Sequence, residues 1–182
     1  NDTLSYIDDG AKVKAQNNVG VIAESDEQIS NAAGSVGIGV TDAGVGASVT
    51  VNEISGETSA YISGSDTEVT ALAKDNTDKL TVNSGELNED VDLAGGLDLD
   101  EYGRTDLASL RETEEITGLA VNASANHSVE NIVANIAGGQ YAGIAGTSNV
   151  SLLSGNTEAY IDNALINPAG TATAGVGGSG QS

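Results

Sequence analysis

Three segments of this chain repeat one another. Thr3-Leu-Ser-Tyr-Ile-Asp-Asp-Gly10, Thr58-Ser-Ala-Tyr-Ile-Ser-Gly-Ser65 and Thr157-Glu-Ala-Tyr-Ile-Asp-Asn-Ala164 share the pattern T-x-[SA]-Y-I, and small or polar residues follow it. The last two agree further upstream, where Ile54-Ser-Gly-Glu-Thr-Ser-Ala-Tyr-Ile62 matches Leu153-Ser-Gly-Asn-Thr-Glu-Ala-Tyr-Ile161. Internal repetition of this kind marks folds in which like units stack on like, each burying a face it cannot bury alone. The paired positions Tyr6 and Ile7, Tyr61 and Ile62, Tyr160 and Ile161 are therefore expected to occupy equivalent places in the structure.

The tyrosines of the repeat lie 55 (61 − 6) and 99 (160 − 61) residues apart, an excess of 44 (99 − 55) in the second gap. The stretch from Asn76 to Gly118 accounts for the excess. There apolar alternation gives way to acids: Glu86, Glu89, Asp90, Asp92, Asp98, Asp100 and Glu101. The expected organisation is repeat-bearing residues 1–75, an acidic, loop-rich insertion at 76–118, and further repeats at 119–182 that end in a Gly-rich segment. Within the insertion, residues 105–116 suggest a short helix, since Leu107 and Leu110 are one turn apart and Arg111 is in reach of Glu115.

Elsewhere the apolar period is two. Val36, Ile38 and Val40, then Val45, Ala47, Val49 and Val51, alternate with small or polar residues, which predicts strands with the apolar face in a narrow core and the polar face in water. Lys12-Val-Lys-Ala15 and Glu68-Val-Thr-Ala71 follow the same rule. Turns are expected at Asp8-Asp-Gly10, Asn17-Asn18, Asp42-Ala-Gly44, Ser55-Gly56, Ser63-Gly-Ser-Asp66 and Ser154-Gly-Asn156, whose residues tolerate left-handed or Asx-turn geometry.

Composition narrows the fold class. The chain has 24 Gly, one Pro, no Cys, Met, Trp or Phe, and only five aromatic residues, all Tyr. A core of Ala, Val, Ile and Leu has to be thin and built by close approach of backbones. The expectation is an all-β, right-handed parallel β-helix (β-solenoid) of about eight or nine short coils at roughly 20 residues each. A β-sandwich is the runner-up; it would normally use larger core residues and has no need of repeated segments.

The net charge of −21 repels nucleic-acid phosphates and anionic lipid, and the scarcity of aromatics removes base-stacking platforms. Neither nucleic-acid binding nor membrane insertion is expected, and no apolar run approaches the 18 or so residues of a spanning helix. A start at Asn1 without a signal-like segment suggests a processed product or an internal piece of a longer chain.

Catalytic and metal chemistry has few candidates. His127, the only histidine, lacks a G-x-S-x-G partner and is expected on a strand or turn facing solvent. Hard carboxylate oxygens at close spacing suit Ca²⁺, which makes Asp90, Asp92, Asp98 and Asp100 the candidate metal ligands. An EF-hand register from Asp98 puts Asp100 at the third position but Ser109 at the twelfth, where the bidentate Glu belongs. Gly95-Gly-Leu-Asp-Leu-Asp100 occurs once rather than in tandem, and no other cofactor is indicated. Carboxylate pairs could imitate a glycosidase, but carbohydrate subsites usually need aromatic platforms. The tyrosines of the repeat are expected to form a side-chain ladder that sets register more than a binding strip. Asn122, Asn126 and Asn149 open N-x-[ST] sequons.

Gly46-Ala-Ser-Val-Thr-Val-Asn-Glu-Ile-Ser-Gly-Glu-Thr-Ser-Ala-Tyr-Ile62 and Gly118-Leu-Ala-Val-Asn-Ala-Ser-Ala-Asn-His-Ser-Val-Glu-Asn-Ile132 resemble repeats of very large filamentous adhesins, of the filamentous-haemagglutinin and leukotoxin-like type of Gram-negative bacteria. The resemblance covers about residues 19–75 and 118–166 and is one of repeat style. It implies a secreted β-helical stalk displayed at the cell surface, without cofactor or active site, where the sequons are incidental. Its partners would be neighbouring repeats or copies and a host or cell-surface ligand. Two other functions stay open: a subunit that polymerises head to tail, and a polysaccharide-active enzyme on a β-helix.

Overall fold

β-Branched and small residues dominate the chain outside its acidic stretch, and they favour extended backbone. The computed structural model describes residues 1–40, 43–75, 77–87 and 111–168, and over these every regular element is a strand. In chain order they are Asp2–Ile7 (β1), Lys12–Ala15 (β2), Val19–Gly39 (β3), Ala43–Ser63 (β4), Glu68–Ala71 (β5), Leu80–Leu87 (β6), Arg111–Ile116 (β7), Leu119–Gly139 (β8), Ala142–Asp162 (β9) and Leu165–Ile166 (β10). The fold is all-β with parallel sheets.

Hydrogen bonding places β4 between β1 and β9, β5 between β10 and β2, and β3 beside β8. The pairings β1–β4, β2–β5 and β10–β5 are parallel. For β3 and β8 the side-chain bonds Asp26–Asn126, Ser30–Glu130 and Ser35–Asn135 all keep an offset of 100. A constant difference in residue number belongs to parallel alignment; antiparallel strands keep a constant sum. By the same test β4 and β9 hold an offset of 99 through Ser48–Thr147 and Asn52–Ser151.

A row recurs after 55 residues (Tyr6↔Tyr61) or 56 (Lys12↔Glu68), and no row holds more than three strands among the described residues. The expectation of about eight or nine coils from a roughly 20-residue period is corrected accordingly. The cause is strand length: β3, β4, β8 and β9 are each 21 residues long. Two of the expected turns, Ser55-Gly56 and Ser154-Gly-Asn156, lie inside β4 and β9. Gly56 serves close packing instead, because a Cβ there would run into the backbone oxygen of Asn1. The Asp8-Asp-Gly10 turn does use left-handed backbone, with φ of 54° at Asp9 and 74° at Gly10.

Two compact units share these strands. The first comprises Asn1–Asp26, Gly56–Asn126 and Gly155–Ser182. Its core joins Val21 and Ala23 of β3, Ala60 and Ile62 of β4, Val69 and Ala71 of β5, and Leu119, Val121 and Ala123 of β8. Thr67, fully buried, accepts the Gly10 N–H at its hydroxyl (3.1 Å) and so ties two turns together. The alternation reads as expected here, with Val13 packed on the core and Val69 within it.

Strands β6 and β7 form an antiparallel pair in this unit, with Leu80 opposite Ile116. The helix expected at 105–116 is thereby corrected over its described part, Arg111–Ile116. Arg111 reaches Glu24 at 3.4 Å and also bonds Asp26 on β3, while Glu115 pairs with Lys79 at 2.8 Å. The Arg111–Glu115 contact assumed for a helix has been exchanged for three longer-range ones.

The second unit comprises Glu27–Ser55 and His127–Ser154, and in it the polarity of the strands is reversed. Val36, Ile38, Val40, Val45, Val49 and Val51 are exposed, while Ser35, Gly37, Gly44 and Asn52 are buried. The expected apolar core face is therefore the outer face. The reason is backbone proximity: a Cβ on Gly37 would meet the Gly46 nitrogen and the Val45 carbonyl carbon at 2.6 Å. Sheets that close have no room between them for Val or Ile, so the small and polar positions turn inward.

Candidate functional site

The T-x-[SA]-Y-I segments come together in the first unit. Along β1 and β4, Thr3 stands opposite Thr58, Ser5 opposite Ala60, Tyr6 opposite Tyr61 and Ile7 opposite Ile62. Tyr6 and Tyr61 stack with ring centroids 5.2 Å apart and planes 9° from parallel. Tyr61 and Tyr160 stack at 5.1 Å and 3°. In-register parallel strands repeat at about 4.8 Å, so identical residues along the row inevitably bring ring onto ring. Ile7 packs against the core and Ile62 lies within it, while Ile161 is 42% exposed.

The arrangement leaves the middle ring covered on both faces, so that Tyr61 is half-buried while Tyr6 and Tyr160 stay exposed. Such a row offers no open aromatic platform at Tyr61; its evident consequence is to penalise any slip of register. Burial raises the Tyr61 hydroxyl above its usual pKa, helped by the Asp8 carboxylate and by the neighbouring tyrosines. Asp8 is itself raised, first by loss of solvent and then by the Asp9 carboxylate next to it, against an opposing hydrogen bond with Ser63.

The second unit contains a network of polar side chains, with Ser35 and Asn52 buried in it, that the sequence reading missed. Asn31 donates to the side-chain oxygen of Asn52, and Asn52 Nδ2 donates to Asn131 Oδ1 (3.0 Å) and Ser151 Oγ (3.3 Å). Nearer the turns, Ser35 Oγ and Thr147 Oγ1 both donate to Asn135 Oδ1, at 2.9 and 2.8 Å. Thr147 has then spent its one proton, so Ser48, 2.8 Å away, donates to it. A signal did exist: Asn31/Asn131, Ser35/Asn135, Ser48/Thr147 and Asn52/Ser151 recur at the offsets of the repeat.

His127 is half-buried, with Nε2 3.8 Å from Glu27 Oε2. Asn122 is buried and donates to the Asn83 carbonyl at 2.9 Å, and Asn126 donates to Asp26 at 3.1 Å; both sequon asparagines are engaged in the fold. Asn149 is exposed. The candidate calcium ligands Asp90, Asp92, Asp98 and Asp100 lie outside the described residues. Among the described residues no group of three or more His, Cys, Asp or Glu is placed to hold a metal ion.

No protein-family model matches the chain, and no curated protein or solved structure shows significant similarity to it.

Proposed function

We propose that this chain is a structural segment of an extracellular bacterial surface filament or giant adhesin stalk, folded as a right-handed parallel β-helix. The observation that carries the proposal is the in-register row Tyr6–Tyr61–Tyr160 on parallel strands. Stacked coils need like residues above like, and each coil adds about 4.8 Å of length at little cost in sequence complexity. The work of such a segment is spacing and contact, with neighbouring repeats as its first partners and a host or cell-surface ligand as a further one. The intact mass of native material tests it. A covalent chain far above 18.1 kDa that carries this sequence supports the stalk; discrete subunits that dissociate and reassemble overturn it.

A second reading, a filament subunit that joins head to tail, draws on one feature of β9. Strand β4 receives β1 along Glu57–Ile62, and β9 carries the same T-x-A-Y-I residues at 157–161. A β1 strand from another copy would find on β9 the residues that β1 already pairs with on β4, and open strand edges favour such addition.

A further inference from the structure

Tyrosine is the most readily oxidised side chain in this sequence. Cys, Met and Trp, which usually intercept an oxidant first, are absent. Three of the five tyrosines stand in the row Tyr6, Tyr61, Tyr160, with ring centroids 5.2 and 5.1 Å apart and planes 9° and 3° from parallel. The in-register pairing of Tyr6 with Tyr61 keeps like atoms level along the row. Ring carbons ortho to neighbouring hydroxyls are therefore held about one strand spacing apart, roughly 4.8 Å. Tyr6 is 57% exposed and Tyr160 41%, so both ends of the row meet a dissolved oxidant, while Tyr61 is half-buried between them.

We propose that this row is an oxidative cross-linking site, at which a one-electron oxidant such as a peroxidase working with hydrogen peroxide joins Tyr61 to Tyr6 or to Tyr160 as dityrosine. Each end ring first loses an electron and its hydroxyl proton. An electron from Tyr61 then fills the vacancy on one end ring; Tyr61 releases its own hydroxyl proton, and that end ring takes one up. The two radicals now lie on adjacent rings and couple through carbons ortho to their oxygens. The hydrogens on those two carbons leave as protons and both oxygens are reprotonated, which restores the aromatic rings. In sum, two phenols lose two hydrogens, and these reduce one hydrogen peroxide to two waters.

The fold supplies what this chemistry lacks in free solution. There, coupling waits for the encounter of two short-lived radicals; in the row the second ring is already in place, at the high effective concentration that positioning confers. Tyr141 is 80% exposed and belongs to the second unit, away from the row, and Tyr102 lies outside the described residues. The product closes a loop of 55 (61 − 6) or 99 (160 − 61) residues. It thereby restricts the unfolded chain as a disulfide would, in a sequence without cysteine. The link fastens one strand of the row to the next, and it does so in a stalk segment and in a filament subunit alike.

Treatment of the full chain at micromolar concentration with a haem peroxidase and hydrogen peroxide tests the proposal, read by dityrosine fluorescence, denaturing electrophoresis and mass spectrometry of proteolytic peptides. The expected product is a monomer lighter by two hydrogens, with Tyr61 joined to Tyr6 or Tyr160 and a yield that does not change on dilution. Tyr61→Phe keeps the ring and its stacking but removes the phenol that links the two ends. It should lower the intrachain yield about tenfold or more, with circular dichroism at wild type. Tyr6→Phe should delete the Tyr6–Tyr61 peptide and retain the Tyr61–Tyr160 one. A folded wild-type chain that forms no intrachain dityrosine under conditions that couple free tyrosine overturns the proposal. So does a yield indifferent to Tyr61→Phe, or a cross-link that maps to Tyr102 or Tyr141. Links that form only between chains, and rise with concentration, overturn it too.

Discussion

Ile54 and Val51 lie three residues apart on β4, in the same unit, and the structure assigns them opposite fates. Ile54 is 5% exposed and Val51 66%. Replacing Ile54 with Ala removes three carbons, worth about 2.4 kcal/mol at roughly 0.8 kcal/mol each. The cavity left in a closely packed interior brings the cost to about 3 kcal/mol, inside the usual range for such truncations. Val51→Ala removes two carbons that are already two-thirds in water, so it costs about 0.5 kcal/mol. Urea unfolding at micromolar protein, with a slope of about 2 kcal/mol per M, converts these into midpoint shifts of about 1.5 M and 0.3 M. Hydrogen exchange at the amides of residues 43–55 reads the same difference within the unit. Simple alternation from Val45 to Val51 puts Val51 in the core and predicts a substantial cost there. Equal costs, or a larger one for Val51→Ala, would refute the reversed polarity of the second unit.

Other perturbations test other parts of the account. Gly37→Val should cost about 2 kcal/mol or more, as overpacking between backbones does, whereas Gly146→Ala, with nothing within 4 Å of its added Cβ, should leave the melting temperature unchanged. Asn52→Ala removes the buried side chain that bonds Asn31, Asn131 and Ser151; because water can reach those three partners, it should destabilise the second unit by only about 1 kcal/mol, measured by the same denaturation. The raised pKa of Tyr61 means that the folded state holds this proton more tightly than the unfolded chain does. Its contribution is fully present below the unfolded pKa of about 10 and is lost as pH rises through the higher folded value. Tyr61→Phe should therefore make stability fall less steeply above pH 10, as followed by thermal melts across alkaline pH; an unchanged slope would count against the covered ring.

Much of the architecture was legible in the sequence because repetition carries register. Once Thr58–Ile62 is matched to Thr3–Ile7, parallel pairing is the simplest way to put like on like, and Tyr6 falls onto Tyr61. The direction in which each strand faces was less legible. Val36, Gly37 and Ile38 alternate as an inward apolar face would, and only the approach of Gly46 shows that there is no space for them inside. Gly56 misled for a related reason, since a glycine required by a neighbouring backbone looks the same in sequence as one required by a turn. Residues 111–116 were ambiguous because an Arg and a Glu four apart suit a helix, and the partners that draw them into a strand, Leu80–Leu87 and the acids of β3, are distant in sequence. The polar network was overlooked because single Asn and Ser residues show no partners until their equivalents at 99 and 100 residues are placed beside them.

The central claim is that the T-x-[SA]-Y-I segments stack in register, and paired cysteines test it directly in a chain that has none of its own. In-register parallel neighbours lie about 4.8 Å apart, within the 4.4–6.8 Å span that a disulfide bridges. Tyr6→Cys with Tyr61→Cys, and separately Tyr61→Cys with Tyr160→Cys, should each form an intramolecular disulfide under mild oxidation of the folded protein. Leu4→Cys with Tyr61→Cys, two residues out of register, should not. Cross-linking in the first two pairs alone is the predicted result; failure of both, or equal cross-linking in the third, would contradict the account.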